Sequence, residues 1–189
     1  HVAVCTRSIA RDSAPEIVEL TLKTATLLEE LGHRVSVIDN PIPARFIDDF
    51  LLYWSFLAFA LVRGGQRMFG ETFDRSRLDN LTLGLERHAA RNLVRLPTAL
   101  ARLARTRRIT SRLHGTYDVL LTPTLADVTP RIGHLDPTAD YQQVIDRLIE
   151  WGGVHAAAER DGRTGDLVAA GPFCVGAAGR HDVLAPLGH

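Results

Sequence analysis

The chain is expected to fold as an α/β protein, and three observations predict it. A strand, a helix and a second strand follow one another within residues 1–40. A short apolar strand returns at Tyr117 to Leu121 after a long helical middle. The composition, 46% hydrophobic with 22 basic and 22 acidic residues, is that of a folded globular chain and not of a disordered one.

Val2-Ala3-Val4-Cys5 is a strand-like run ending at Thr6. Ser13 precedes Pro15-Glu16, the pattern of a helix cap followed by a proline and an acid in the first turn. Ile17, Val18, Leu20, Leu22, Ala25, Leu27, Leu28 and Leu31 then recur at helical spacing, and Gly32 closes the helix. His33 to Asp39 alternates as a strand, so this unit predicts a right-handed crossover between parallel strands. Pro41 and Pro43 end it. A helix is expected from Ala44 to about Phe69, broken near Gly64-Gly65, with further helices over Asp79 to Leu96 and Pro97 to His114. Tyr117 to Leu121 is a buried-strand pattern stopping at Thr122-Pro123-Thr124, and a short helix is expected from Tyr141 to Trp151. From Gly152 to His189 no period of 3.6 or 2 is sustained, and the composition is that of a linker.

Composition excludes several classes of function. A formal charge of zero is not that of a dedicated nucleic-acid binder. The longest apolar run, Phe50 to Val62, is shorter than the roughly 20 residues of a bilayer span and sits too deep for a signal peptide. Cys5 and Cys174 make neither a disulfide framework nor a CxxC motif, so a reducing, cytoplasmic compartment is expected. His88, His114 and His134 lack the paired spacing of a metal site.

Other local features read as structure. All basic residues are arginine except Lys23, which lies mid-helix with no serine cluster beside it and reads as part of a solvated face. Arg102 to Arg112 carries arginines on a helix with Leu103 and Ile109, again a solvated face. Arg63-Gly64-Gly65 with Arg67 is a helix break before it is an RNA-binding repeat. Asp48-Asp49 is a favourable charge at a helix N-terminus. Asp118 and Thr122 flank the later strand as structural residues, with the wall of a substrate pocket as the alternative.

YDVLLTPTLA at Tyr117 to Ala126, with Gly133 and Leu135-Asp136-Pro137 downstream, resembles the amidase signature family. The upstream order of VAVCT, LLEELGHRV and FLLYWSFLAFALV matches the same family, so the resemblance covers Val2 to Trp151. It implies a partial amidase fold here, a mixed sheet with an outer layer of helices. It also implies hydrolysis of a carboxylic amide to the acid and ammonia or an amine, without cofactor or metal. The complete enzyme would act on a small-molecule amide, with a homodimer as an allowed assembly.

In that family a lysine and two serines catalyse the reaction, one serine following a cis peptide bond. A neutral lysine takes the proton relayed from the attacking serine, and backbone N–H groups hold the oxyanion. Those residues lie in a Gly/Ser-rich segment upstream of the region matched here. This chain has no Gly-Gly-Ser-Ser run, so no catalytic residue is assigned, the substrate-binding residues are unknown, and the chain alone is expected to be inactive.

The family continues with a phrase of the type FTxxxNxTGxPAISLP, and this chain does not. Codons permitted for Val154 to Cys174 nevertheless include a set that spells FTPLQNATGEPAISLPLAHS when read one base later. Permitted codons through Leu184 continue it as ASGLPVGMTFS. The first base of each shifted codon is fixed by the second base of the printed one, which constrains the match throughout. A frameshift is therefore expected near Gly152-Gly153, dividing residues 1–151, part of an amidase domain, from an out-of-frame tail at 152–189. The competing expectations are a stand-alone α/β ligand-binding or regulatory module and a non-functional pseudogene product. Against a nucleotide ligand, no glycine-rich phosphate loop lies between Thr6 and Pro15.

Overall fold

The structure, a computed structural model, describes residues 1–152. The expected out-of-frame tail lies outside the described residues apart from Gly152, and Cys174 lies outside with it.

Strand β1 (Val2–Val4) leads to helix α1 (Pro15–Glu30) and strand β2 (Val35–Val37), the expected crossover unit. The cap differs from expectation. Ala14, with extended backbone, takes the N-cap position and has no side-chain oxygen to accept an N–H, while the Ser13 hydroxyl donates to the Thr6 carbonyl at 2.6 Å. Pro15 supplies the preset φ of the first turn. At the other end Gly32, with φ +89°, lets the His33 N–H reach the Leu28 carbonyl at 3.0 Å and close the helix.

Helix α2 (Phe46–Phe69) runs unbroken through Gly64-Gly65, so the predicted break is absent. The reason is packing. Gly65 lies against the ring of Phe73, where a Cβ would collide with it. Two 3-10 turns then lead to α3 (Asn80–Asn92), whose N-cap Asp79 accepts the Thr82 N–H at 2.7 Å. A further 3-10 turn joins it to α4 (Leu96–Thr116), with Pro97 in its first turn. Strand β3 (Val119–Leu121) and helix α5 (Tyr141–Gly152) complete the described chain.

The sheet order is β2-β1-β3, and both pairings are parallel, with Val2 opposite Val35 and Val119, and Val4 opposite Val37 and Leu121. The mixed character expected of the complete sheet is therefore not represented among the described strands. Central β1 is wholly buried. On one face Val2 and Val4 pack with Ala25, Leu28, Val35 and Leu121 under α1. On the other, Leu120 packs against a cluster of Ile42, Phe46 of α2 and Leu103 of α4, which Phe50 and Ile109 also join. A third cluster, Ala58, Leu85 and Ile145 with Trp54 and Tyr141, joins α2, α3 and α5. Each buried Leu or Phe side chain in these layers contributes about 1.5–3 kcal/mol.

Candidate functional site

In open parallel sheets, ligands bind outside the carboxyl ends of the strands where successive connections diverge. Here α1 carries the chain from β1 to β2, and α2–α4 carry it back across to β3 on the other side of β1. The divergence lies between the carboxyl ends of β1 and β3, at Cys5-Thr6 and Thr122-Pro123.

Two loops meet there and brace each other. The Cys5 N–H donates to the Leu121 carbonyl at 3.0 Å, and the Ala14 N–H to Ala126 at 2.7 Å. Arg11 donates to the Glu150 carbonyl at 2.9 Å and stands 3.4 Å from the Asp127 carboxylate. The Trp151 indole donates to the Val128 carbonyl at 2.7 Å, tying the end of α5 to the same loop. Asn40 donates to the Arg7 carbonyl at 3.1 Å, and Arg7 pairs with Asp12 at 2.8 Å. The Ser8 hydroxyl accepts the backbone N–H groups of Ala10 and Arg11. The Cys5 thiol is buried beneath this rim, and burial raises its pKa, so it stays protonated and inert. These polar groups tie the loops of the rim to one another and to the end of α5.

The remaining sequence candidates are dispersed. Lys23 projects from the outside of α1 and pairs with Glu19 at 2.7 Å, in keeping with a solvated face. Asp118 and Thr122 flank β3 at opposite ends, about 13 Å apart at strand rise, and of the two only Thr122 lies at the carboxyl rim. Asp118 donates its N–H to the His1 carbonyl at 2.8 Å. His88 lies near the Tyr141 ring, His114 near the Tyr117 carbonyl, and His134 donates its N–H to Arg131. Burial lowers the His88 pKa, with Arg95 and Arg91 adding to the shift. Among the described residues no group of three His, Cys, Asp or Glu could hold a metal ion. No described helix is long and apolar enough to cross a membrane.

Three features were not read from the sequence. Asp49 is buried, not simply a charge at a helix start, and accepts two hydrogen bonds from Arg102 at 2.7 and 2.5 Å. Arg102 thus leaves the solvated arginine face and joins α4 to α2, and the carboxylate holds its pKa above the ordinary range. Glu86 of α3 is buried as well, with Arg63 at 2.9 Å on one oxygen and Arg75 at 2.5 Å on the other. Arg63 also lies 5.4 Å over the Phe59 ring, which gives the Arg-Gly-Gly sequence a packing role. Finally, the His1 ring nitrogen Nε2 lies 2.9 Å from Ser36 Oγ, at the amino ends of the strands and away from the rim. The first two pairs span residues far apart in the chain, so only charge content signalled them.

Comparison with known proteins fits this architecture. A family model described as Amidase matches residues 1–169. The chain is 61% identical over 152 residues to the Mycobacterium tuberculosis protein named "Putative amidase AmiC", covering 80% of this chain and 32% of that protein. It is 63% identical over 152 residues to the Mycobacterium leprae protein of the same name, with the same coverage. The chain thus spans about a third of the length of these relatives. Among solved structures, that of 6-aminohexanoate cyclic dimer hydrolase complexed with substrate matches with a TM-score of 0.61 at 19% identity, over 71% of this chain and 29% of that one. The fold is shared with that hydrolase, and the chain belongs to the amidase family.

Proposed function

We propose that this chain is the C-terminal part of an amidase-signature enzyme whose complete form hydrolyses a carboxylic amide to the acid and ammonia or an amine. The observation that carries the reading is 61–63% identity to amidase-named proteins over about a third of their length. The part described supplies scaffold, a parallel sheet with a braced carboxyl rim. The chemistry, attack by a serine with a second serine and a neutral lysine moving the proton, belongs to a segment outside this chain. Lys23 cannot stand in for that lysine. It is exposed and paired with Glu19, whereas a catalytic lysine must be desolvated to be neutral. The chain alone is accordingly inactive, and the substrate of the complete enzyme is a small-molecule amide.

The same reading makes residues after about Gly152 the product of a one-base frameshift, supported by the family phrase hidden in permitted codons for Val154 to Leu184. Sequencing the encoding DNA across the codons for Glu150 to His155, and upstream of His1, tests it. A shifted frame spelling the family phrase, with an in-frame Ser-Ser-Lys segment upstream, is the expected result. Tail codons that do not spell the phrase one base later refute the frameshift.

A further inference from the structure

Glu86 gathers more positive charge than it can neutralise. It lies on α3, and its side chain is 3% exposed. Arg63 of α2 stands 2.9 Å from one of its oxygens, and Arg75, from the second of the 3-10 turns before α3, donates to the other at 2.5 Å. Two guanidiniums on one carboxylate leave one positive charge over. Each meets Glu86 through a single nitrogen, so the rest of each fork is open, and the two side chains are 66 and 56% exposed. Arg63 is further steadied over the Phe59 ring at 5.4 Å. Both forks are thus held from behind by Glu86, which lowers the entropy cost of using their remaining donors.

The forks line a cleft of roughly 830 Å³ between the carboxyl half of α2, α3 and the 3-10 turns, the size of a small-molecule site. Its wall carries a second pole of opposite sign, Glu71 and Asp74. Both are exposed, and among the described residues neither stands in an ion pair. The Ser76 hydroxyl and backbone N–H bond to Asp74 and hold its carboxyl below the usual range, so it is ionised at neutral pH. Buried Val62, and Phe73 with its ring packed on Gly65, add apolar surface to the same wall. A simple anion is attracted by the arginines and repelled by Glu71 and Asp74, and a simple cation meets the reverse. A molecule carrying both charges satisfies both poles.

We propose that this cleft binds a small zwitterion, an amino acid whose carboxylate lies on the forks of Arg63 and Arg75, whose ammonium lies by Glu71 and Asp74, and whose aliphatic carbons lie against Val62 and Phe73. A planar carboxylate matches a guanidinium fork through two parallel hydrogen bonds. An α-amino acid and an ω-amino acid share this chemistry and differ in whether the carbons lie beside the two charges or between them. The assignment rests on these side chains and not on the amidase reading.

Isothermal titration calorimetry of the full chain at low ionic strength, with leucine and with 5-aminopentanoate, tests the site. Pentanoate and pentylamine serve as single-charge controls. Saturable binding of at least one zwitterion, about tenfold or more tighter than either control, is the expected result, and the tighter of the two identifies the source. Glu71→Gln alters an exposed side chain and leaves the chain folded, which circular dichroism checks, and it should weaken zwitterion binding at least about threefold. Arg75→Lys keeps a positive charge beside Glu86 but loses the fork, and should weaken the same binding at least about threefold. Pentanoate or pentylamine binding as tightly as the zwitterions, binding unchanged in both variants, or no saturable binding overturns the proposal. None of these outcomes bears on amide hydrolysis, so the amidase reading stands or falls separately.

Discussion

Gly84 and Gly64 both lie inside helices, yet replacing them with alanine should move stability in opposite directions. Glycine inside a helix costs about 0.8–1 kcal/mol relative to alanine through backbone entropy, so alanine gains that much wherever its methyl fits. At Gly64 it fits, since an added Cβ meets only the Met68 sulfur at 3.8 Å. Gly64→Ala should raise the melting temperature by about 2–3 °C for a chain of this size. At Gly84 the added Cβ falls on the Tyr141 ring and 2.6 Å from the Tyr141 Cβ. No rotation of the ring moves its Cβ, which is fixed by the first turn of α5, so the clash is relieved only by shifting α5 on α3. Overpacking of this kind costs about 1–3 kcal/mol. The Tyr141 Cβ contact puts Gly84→Ala in the upper part of that range, which outweighs the propensity gain. The net loss is about 1–2 kcal/mol, or roughly 3–6 °C. Thermal unfolding followed at 222 nm reads both variants. A Gly84→Ala chain as stable as Gly64→Ala would refute the packing of Tyr141 on Gly84, and with it the position of α5.

Arg102→Met should destabilise the chain more than Asp49→Asn with Arg102→Met together, because the single change strands a buried carboxylate and the double change removes its charge. Urea unfolding of the two variants checks this, and equal midpoints would contradict it. His88 makes stability depend on pH. Its native pKa lies below the ordinary 6.5, so the unfolded chain binds the proton first. That contribution is complete above pH 6.5 and is lost as the pH falls through the lower native value. His88→Gln should therefore flatten the stability profile below pH 6.5, and an unchanged slope would count against the burial. Cys5 should resist iodoacetamide in the native chain and react only on unfolding, since burial keeps it a thiol. Peptide mass mapping after alkylation reads this directly, and rapid native labelling of Cys5 would contradict it.

Local patterns were legible and distant pairings were not. The β1-α1-β2 crossover followed from alternating and helical periods because its elements are adjacent in the chain and their apolar faces are their main determinant. β3 was legible from its run of apolar residues before Thr122-Pro123. Gly64-Gly65 was misread as a break because propensity sees only the missing side chains, whereas the Phe73 ring that occupies the space beside Gly65 arrives from a later turn. Ser13 was misread as the cap because the helix starts one residue later, with Ala14 at the N-cap, and the Ser13 hydroxyl donates to Thr6 across a loop. Asp49 with Arg102, and Glu86 with Arg63 and Arg75, depend on how α2, α3 and α4 cross, which no single period encodes. The candidate site was legible chiefly through the family resemblance of Tyr117 to Ala126. Its position at the carboxyl rim required the strand order.

The central claim is that this chain is scaffold for an amidase and lacks the catalytic segment. Its most direct test is ammonia release from a panel of simple carboxylic amides, measured with the purified chain and with the product of a gene restored upstream and repaired near the codon for Gly152. No turnover by the chain and steady hydrolysis by the restored product is the predicted result. Steady hydrolysis by the chain alone, unchanged by restoration, would contradict the account.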